Sequence, residues 1–109
     1  MAKHEFGIMD IPPTREQEYN TYEPEKYHCL SVEDEIIESL LQEFSVIPCY
    51  WHSLKREERG LAYCGITIIP PHSLKAFISF IDQNPQCHEL KNLLQKAVKE
   101  NKYVIHFGI

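Results

Sequence analysis

The C-terminal stretch "NKYVIHFGI", residues 101–109, limits the fold more than any other segment. Its side chains alternate between an apolar set and a set of mixed character. The apolar set is Tyr103, Ile105 and Phe107, and the mixed set is Val104, His106 and Gly108. This period of two predicts a half-buried strand. Because a strand cannot satisfy its own backbone groups, it must join a sheet. We expect the mixed face, with His106, to lie away from any helices, so that His106→Ala leaves the fold largely intact.

Three segments before this strand have the spacing of amphipathic helices. Their apolar stripes are Ile36, Ile37, Leu40, Leu41 and Phe44, then Leu74, Phe77, Ile78 and Ile81, then Leu90, Leu93, Leu94, Ala97 and Val98. Pro48 ends the first pattern, and Asn84 with Pro85 separates the second from the third. The prolines of "PPHSL" suit the start of the second helix.

Strands are predicted around these helices. "YHCLS" precedes the first helix, and "CYWHSL" and "LAYCGITII" flank the charged turn "KREERG" as a hairpin. The order is strand, helix, strand, strand, two helices, strand. Counting the two helices as one broken connection gives a ferredoxin-like α+β fold, a four-stranded mainly antiparallel sheet with helices packed on one face. The C-terminal strand would lie inside or beside that sheet.

Residues 1–26 lack a steady period of either kind. This segment carries Pro12, Pro13 and Pro24 together with several apolar residues, namely Phe6, Ile8, Met9, Ile11, Tyr19 and Tyr22. It is too apolar for a free tail. We therefore predict an N-terminal arm, residues 1–26, packed on a single α+β domain, residues 27–109.

Charge and composition narrow the function classes. Sixteen acidic and eleven basic residues give a net charge of -5, the wrong sign for a phosphate-binding surface, so we expect no nucleic-acid partner. No apolar run has the length of a signal peptide or membrane span, which predicts a cytoplasmic protein with no membrane partner. The sequence has no G-x-S-x-G, phosphate-cradling glycine loop or H-E-x-x-H motif, so we assign no catalytic residue and predict a protein that is not an enzyme.

The four cysteines and six histidines were tested against metal-site spacing. Only Cys49 and His52 approach the paired spacing of zinc ligands. Alternation in the hairpin would put Cys49 opposite Cys64 and turn His52 to the other face. Cys49, Cys64 and His52 are therefore weak metal candidates, and we predict no metal, no cofactor and two buried, inert thiols at Cys49 and Cys64.

The hairpin face opposite the cysteines is the better candidate for a binding surface. It would carry Tyr50, His52, Leu54, Leu61, Tyr63 and Thr67, with His106 of the last strand beside them. A sheet with helices on one side must cover its other face with solvent, the arm or a partner. Cover by the arm and use as an interface remain open alternatives.

Three stretches, "YEPEKYHCLSVED", "GLAYCGITIIPPHSL" and "ENKYVIHFGI", resemble a family of small uncharacterised proteins from low-GC Gram-positive, Bacillus-like bacteria. The resemblance runs from Phe6 to Ile109 and implies a bacterial cytoplasmic protein, with no assigned activity or site. In size and acidity the chain is also similar to bacterial immunity proteins.

These observations favour a non-enzymatic protein-protein interaction module of immunity or regulatory type, which binds another protein or itself through the open sheet face or an edge strand. The alternative is a small-molecule or metal-binding protein with a pocket built from Cys49, Cys64, His52, His72 or His106. A sensor domain that binds an amino acid at a dimer interface is a third hypothesis, based on fold analogy.

Overall fold

The computed structural model describes residues 2–109, which form six strands, three α-helices and one 3-10 turn. The strands are β1 (Lys3–Met9), β2 (Leu30–Glu33), β3 (Pro48–Trp51), β4 (Glu57–Arg59), β5 (Ile66–Ile69) and β6 (Tyr103–Phe107). The helices are α1 (Asp34–Phe44), α2 (Pro71–Ile81) and α3 (His88–Glu100), with the 3-10 turn at Pro85–Cys87. This is a small α+β fold, as the sequence predicts.

All six strands belong to one sheet in the order β2-β1-β6-β5-β3-β4, and each neighbouring pair is antiparallel. β6 lies between β1 and β5, which confirms that the C-terminal strand is inside the sheet. β2 and β4 form the two edges. α1 connects the β2 edge to β3, next to the opposite edge.

The sheet has six strands where the sequence predicted four. β4 comes from the charged "KREERG" segment, which was expected to be a turn, and β1 comes from the segment expected to be an arm. His4, Glu5 and Gly7 interrupt the apolar pattern of β1 and hide its alternation. The ferredoxin-like order is not confirmed, because β1 and β6 separate β2 from β5.

The three helices cover one face of the sheet and form what we call the helix-side core. Its buried residues are Phe6, Val32, Ile37, Phe44, Ile47, Cys49, Leu61, Ile69, Leu74, Phe77, Ile81, Cys87, Leu90, Leu94, Ala97 and Val104. The predicted helical stripes supply half of these side chains. Pro71 stands in the first turn of α2, and Asn101 ends α3 in a left-handed conformation with φ of 56°.

The opposite face is covered by irregular chain. Met9, Ile66, Ile68, Ile105 and Phe107 form its buried cluster, which Tyr19, Tyr27, Cys29, Tyr50, Leu54 and Tyr103 cover; we call this the second-face cluster. At Gly7 the covering chain comes so close that an added Cβ would lie 2.6 Å from the Tyr27 carbonyl oxygen. Residues 10–29 therefore supply much of the cover that the sequence left open.

None of the helices within residues 2–109 combines the length and the apolar character that crossing a bilayer requires.

Candidate functional site

A chain of polar side chains lies buried on the helix side of the sheet and links four elements. His4 of β1 contacts Asp34, the first residue of α1, at 2.9 Å between Nε2 and Oδ1. Its Nδ1 lies 2.8 Å from Nε2 of His106 in β6, whose Nδ1 lies 3.1 Å from Oγ1 of Thr67 in β5. Tyr63 donates its hydroxyl to Asp34 Oδ1 at 2.6 Å. We call these five residues the histidine network.

The Asp34 carboxylate fixes the direction of the first hydrogen bond, and the directions of the others follow for neutral imidazoles. An ionised Asp34 can only accept, so His4 donates from Nε2 and, as a neutral ring, accepts at Nδ1. His106 then donates from Nε2 and accepts at Nδ1 from the Thr67 hydroxyl. Thr67 Oγ1 in turn accepts from the Ala62 backbone N–H at 2.8 Å. Every polar atom of the chain is satisfied with both imidazoles neutral.

The surroundings shift the pKa values of three of these groups, His106, Asp34 and Tyr63. Burial, followed by the nearby His4, lowers the pKa of His106 well below its usual 6.5. The Tyr63 hydroxyl and then His4 lower the pKa of Asp34 from 3.8, because both stabilise the carboxylate. The same carboxylate raises the pKa of Tyr63 to about 12.

The histidine network is closed to ligands at its centre. His4, Thr67 and His106 are all 0% exposed, and only the Asp34 and Tyr63 end reaches the surface. A substrate cannot contact either imidazole without opening the sheet. The arrangement therefore ties β1, β5 and β6 to the start of α1, and it acts as a structural clamp.

The predicted interaction face does not exist as one surface. Tyr50 and Leu54 are half-buried in the second-face cluster, whereas Leu61 is buried in the helix-side core. The prediction that Thr67 and His106 lie on the open face is wrong, since both belong to the buried network on the other side.

Two further residues of that predicted face have structural partners. His52 places Nδ1 2.9 Å from the Tyr19 carbonyl oxygen, and Tyr63 is held by Asp34. Alternation failed as a guide because β3 ends at Trp51, His52 takes a φ of 64°, and β5 begins only at Ile66. The chain between them is not extended strand, so its residues do not keep a period of two.

The three metal candidates lie in different environments. Cys49 is buried, and burial raises its thiol pKa to about 12, whereas Cys64 is exposed in the turn before β5. The prediction that both thiols are buried is thus wrong for Cys64, and Cys49 pairs across the sheet with Glu58 instead. Within the described residues 2–109, no three His, Cys, Asp or Glu side chains are grouped as a metal site.

The acidic residues are concentrated in the first sixty residues of the sequence. Residues 1–60 hold thirteen of the sixteen acidic residues but only six of the eleven basic ones. The helix α1, "DEIIESLLQEF", contains four acids and no Lys or Arg, and its Glu35, Glu38 and Glu43 are exposed. Together with Glu33 at the end of β2 they form what we call the α1 acidic face.

Two shallow grooves run beside the β2 edge. The first groove has a volume of about 220 Å³ and lies between β2 on one side and the 3-10 turn and the start of α3 on the other. The second has a volume of about 320 Å³ and lies between the start of α1 and the 3-10 turn. Both are lined by Gln86, so they adjoin, and we treat them together as the β2 groove.

No protein-family model, no curated protein and no solved structure matches this chain.

Proposed function

We propose that this protein is a non-enzymatic binding module whose partner is a protein with a basic surface. The observation that carries the proposal is the α1 acidic face. Acids in the first turn of a helix are explained by the helix dipole, which covers Asp34 and Glu35. Glu38 and Glu43 lie further along, where the dipole gives no such benefit, so their charge has no stabilising role within the helix.

The internal chemistry of the protein supports the same proposal. Two of the six histidines, His4 and His106, are engaged in the closed histidine network. Burial raises the thiol pKa of Cys29 to about 12 and also raises that of Cys87, which keeps both cysteines protonated and unreactive. Acidic charge on an exposed helix steers association with basic partners and discriminates against acidic ones.

The family resemblance leads us to propose a bacterial cytoplasmic setting for this activity, of the immunity or regulatory type. In such a setting the partner would be a basic protein, for example a nuclease. No part of this proposal requires a cofactor, and the acidic surface disfavours nucleic acid as the partner.

Capture from an extract of the native cell tests the proposal when it is combined with charge reversal. The double variant Glu38→Lys and Glu43→Lys should lose the partner that the unchanged protein retains. The matched control, Glu16→Lys with Glu18→Lys, makes the same change in net charge at two exposed positions outside α1 and should retain it. Retention should also fall at 0.5 M salt.

Two results would reject the proposal. One is equal retention by the α1 variant and by the control, which would show that α1 does not bind. The other is the absence of any reproducible partner at low salt.

A second candidate function rests on a cleft of about 330 Å³ that brings together three residues singled out from the sequence, Cys49, Tyr50 and His72, with Glu58 and Arg59. Arg59 together with the carboxylates of Glu57 and Glu58 gives the cleft both signs of charge, which suits a small zwitterion. Thermal-shift screening against metabolites should then find a compound that raises the melting temperature of the protein but not that of an Arg59→Ala variant.

A further inference from the structure

The β2 edge offers unpaired backbone groups to a partner. The Asp34 N–H donates to the Ala2 carbonyl at 3.1 Å, which makes position 34 a hydrogen-bonded position of the β1–β2 pair. Because such positions alternate in an antiparallel pair, positions 32 and 30 also turn their backbone groups toward β1. The N–H and C=O groups of Ser31 and the N–H of Glu33 therefore point away from the sheet, whereas the Glu33 carbonyl, at the N-cap of α1, accepts the first hydrogen bond of that helix.

The opposite edge is protected in the way that natural sheets protect their edges. β4 has only three residues, Glu57–Arg59, with both signs of charge, and Arg56 pairs with Glu58 at 3.2 Å. Both edge strands are short, with four residues in β2 and three in β4, so the mixed charge of β4 is the feature that protects it against strand addition. β2 has no basic residue of its own, so it lacks this balance of charge.

The β2 groove beside this edge is selective for charge. Glu33 and Glu35 line one part and Glu89 lines the other, while Leu30 and Leu90 supply apolar surface. Neither part is lined by Lys or Arg. A strand added to β2 would run beside these acids, so basic side chains on that strand would meet complementary charge.

We propose that β2 accepts an extended, Lys- or Arg-bearing segment of the partner protein as a seventh strand. This inference rests on the proposed function and names how the partner is held. Main-chain hydrogen bonds to Ser31 and Glu33 supply affinity, and the acids of the β2 groove select basic side chains. A second copy of the chain fits less well, since pairing two β2 edges would bring two sets of these acids together.

An eight-residue peptide of alternating Lys and Val, blocked at both ends, is a suitable probe. We expect it to slow amide hydrogen exchange at Ser31 and Glu33 at least about tenfold in the full chain, as hydrogen bonding in a strand requires. The matching Glu-Val peptide should have no effect. Ser31→Pro removes one outward N–H and should weaken binding about tenfold, whereas Ser31→Thr keeps it and should bind normally.

Several outcomes would overturn the strand-addition proposal. They are unchanged exchange at Ser31 and Glu33 with saturating Lys-Val peptide, equal binding of the Glu-Val peptide, and unaltered affinity in a folded Ser31→Pro variant. If Ser31→Pro does not fold, exchange in the unchanged protein decides alone. A peptide-free dimer with Ser31 and Glu33 already protected would identify a second copy as the occupant.

The proposed function can survive the failure of this inference. Native partner capture that is lost on reversing Glu38 and Glu43 but kept in Ser31→Pro would leave the acidic module standing without strand addition. Capture that ignores the α1 reversal would instead reject the proposed function itself.

Discussion

The two faces of the sheet are stabilised in different ways, and β6 shows the contrast between adjacent residues. His106 points to the helix side, where three regular helices enclose both the apolar core and the histidine network. Phe107 points to the second face, where irregular chain supplies the cover and Tyr22 meets the Phe107 ring at a centroid distance of 5.4 Å.

The difference shows on which face of the sheet polar side chains can be buried. On the helix side, the rigid start of α1 brings a carboxylate to His4, so a polar chain can be buried with all its hydrogen bonds made. On the second face the buried side chains are apolar, and the polar hydroxyl of Tyr22 stays at the surface with Glu5. Four measurements test this contrast between the two faces.

The largest effect should follow deletion of residues 107–109. It removes the buried Phe107 ring and the backbone bonds from Gly108 to Gly65 at 2.7 Å and from Ile109 to Tyr63 at 3.0 Å. Loss of a buried Phe side chain alone costs about 3–5 kcal/mol, a large part of a typical total stability. Urea unfolding should show a loss of at least that size. The control is deletion of Ile109 alone, which is 42% exposed, and a truncated chain as stable as the control would contradict the role of Phe107.

The next effect is that of His106→Ala on the helix side. The sequence predicted a tolerated change, but the substitution would leave His4 Nδ1 and the Thr67 hydroxyl without their partner in a buried site. Unsatisfied buried groups cost about 1–3 kcal/mol each, so we expect a loss of about 3 kcal/mol in the free energy of unfolding. His72→Ala, at an exposed position of α2, should change it by less than about 0.5 kcal/mol. Equal effects of the two changes would refute the histidine network as a stabilising element.

Acid pH should also destabilise the folded protein, because His106 binds a proton more readily in the unfolded chain. In the unfolded chain His106 titrates near 6.5, but burial lowers its pKa well below that value in the folded protein. Between the two pKa values only the unfolded chain binds the proton, so stability falls as pH decreases below 6.5, by up to about 1.4 kcal/mol per pH unit.

Protonation of Asp34 should cause a second loss of stability at lower pH. Its folded pKa is depressed, so the stability it contributes is present above 3.8 and is lost as pH falls through the folded value. Urea midpoints from pH 7.5 to 4.5 isolate the first step. His106→Gln should flatten that dependence and His72→Gln should not; an equal slope in all three proteins would assign the pH effect to other groups.

The smallest effect should come from Tyr22→Phe on the second face. The Tyr22 hydroxyl donates to Glu5 at the surface, and Tyr22 is 60% exposed, so water can replace this bond. The free energy of unfolding should change by less than about 0.5 kcal/mol. Tyr22→Ala, which also removes the ring from Phe107, should cost more. If Tyr22→Phe were as costly as His106→Ala, the contrast between the two faces would fail.

The sequence was informative wherever a period ran uninterrupted. Leu74, Phe77 and Ile81 predicted both α2 and its buried side, and the alternation in "YVIHF" predicted the inner strand β6. The side that His106 faces could not be derived from the sequence. A period of two assigns residues to two faces of a strand, but it does not show which face the helices cover. That choice depends on β1, where Phe6 pairs with His106 and shares the helix side with it.

The histidine network was beyond sequence reasoning for a related reason. His4 and His106 are separated by 102 residues, and no local spacing connects them. The one available signal was a histidine at an alternating position in each of two strand-like segments. The β2 edge was equally hidden, since recognising it as an edge required the full strand order, including the unpredicted β1.

The pairing of β1 with β6 has a consequence for how the chain reaches its folded state. β1 leaves the ribosome about a hundred residues before β6, its neighbour on one side. Until then β1 can pair only with β2, which leaves the other side of β1 available to wrong partners during synthesis. Closing so long a loop is slow compared with forming helices, so we expect α2 and α3 to form early and the sheet to be completed last.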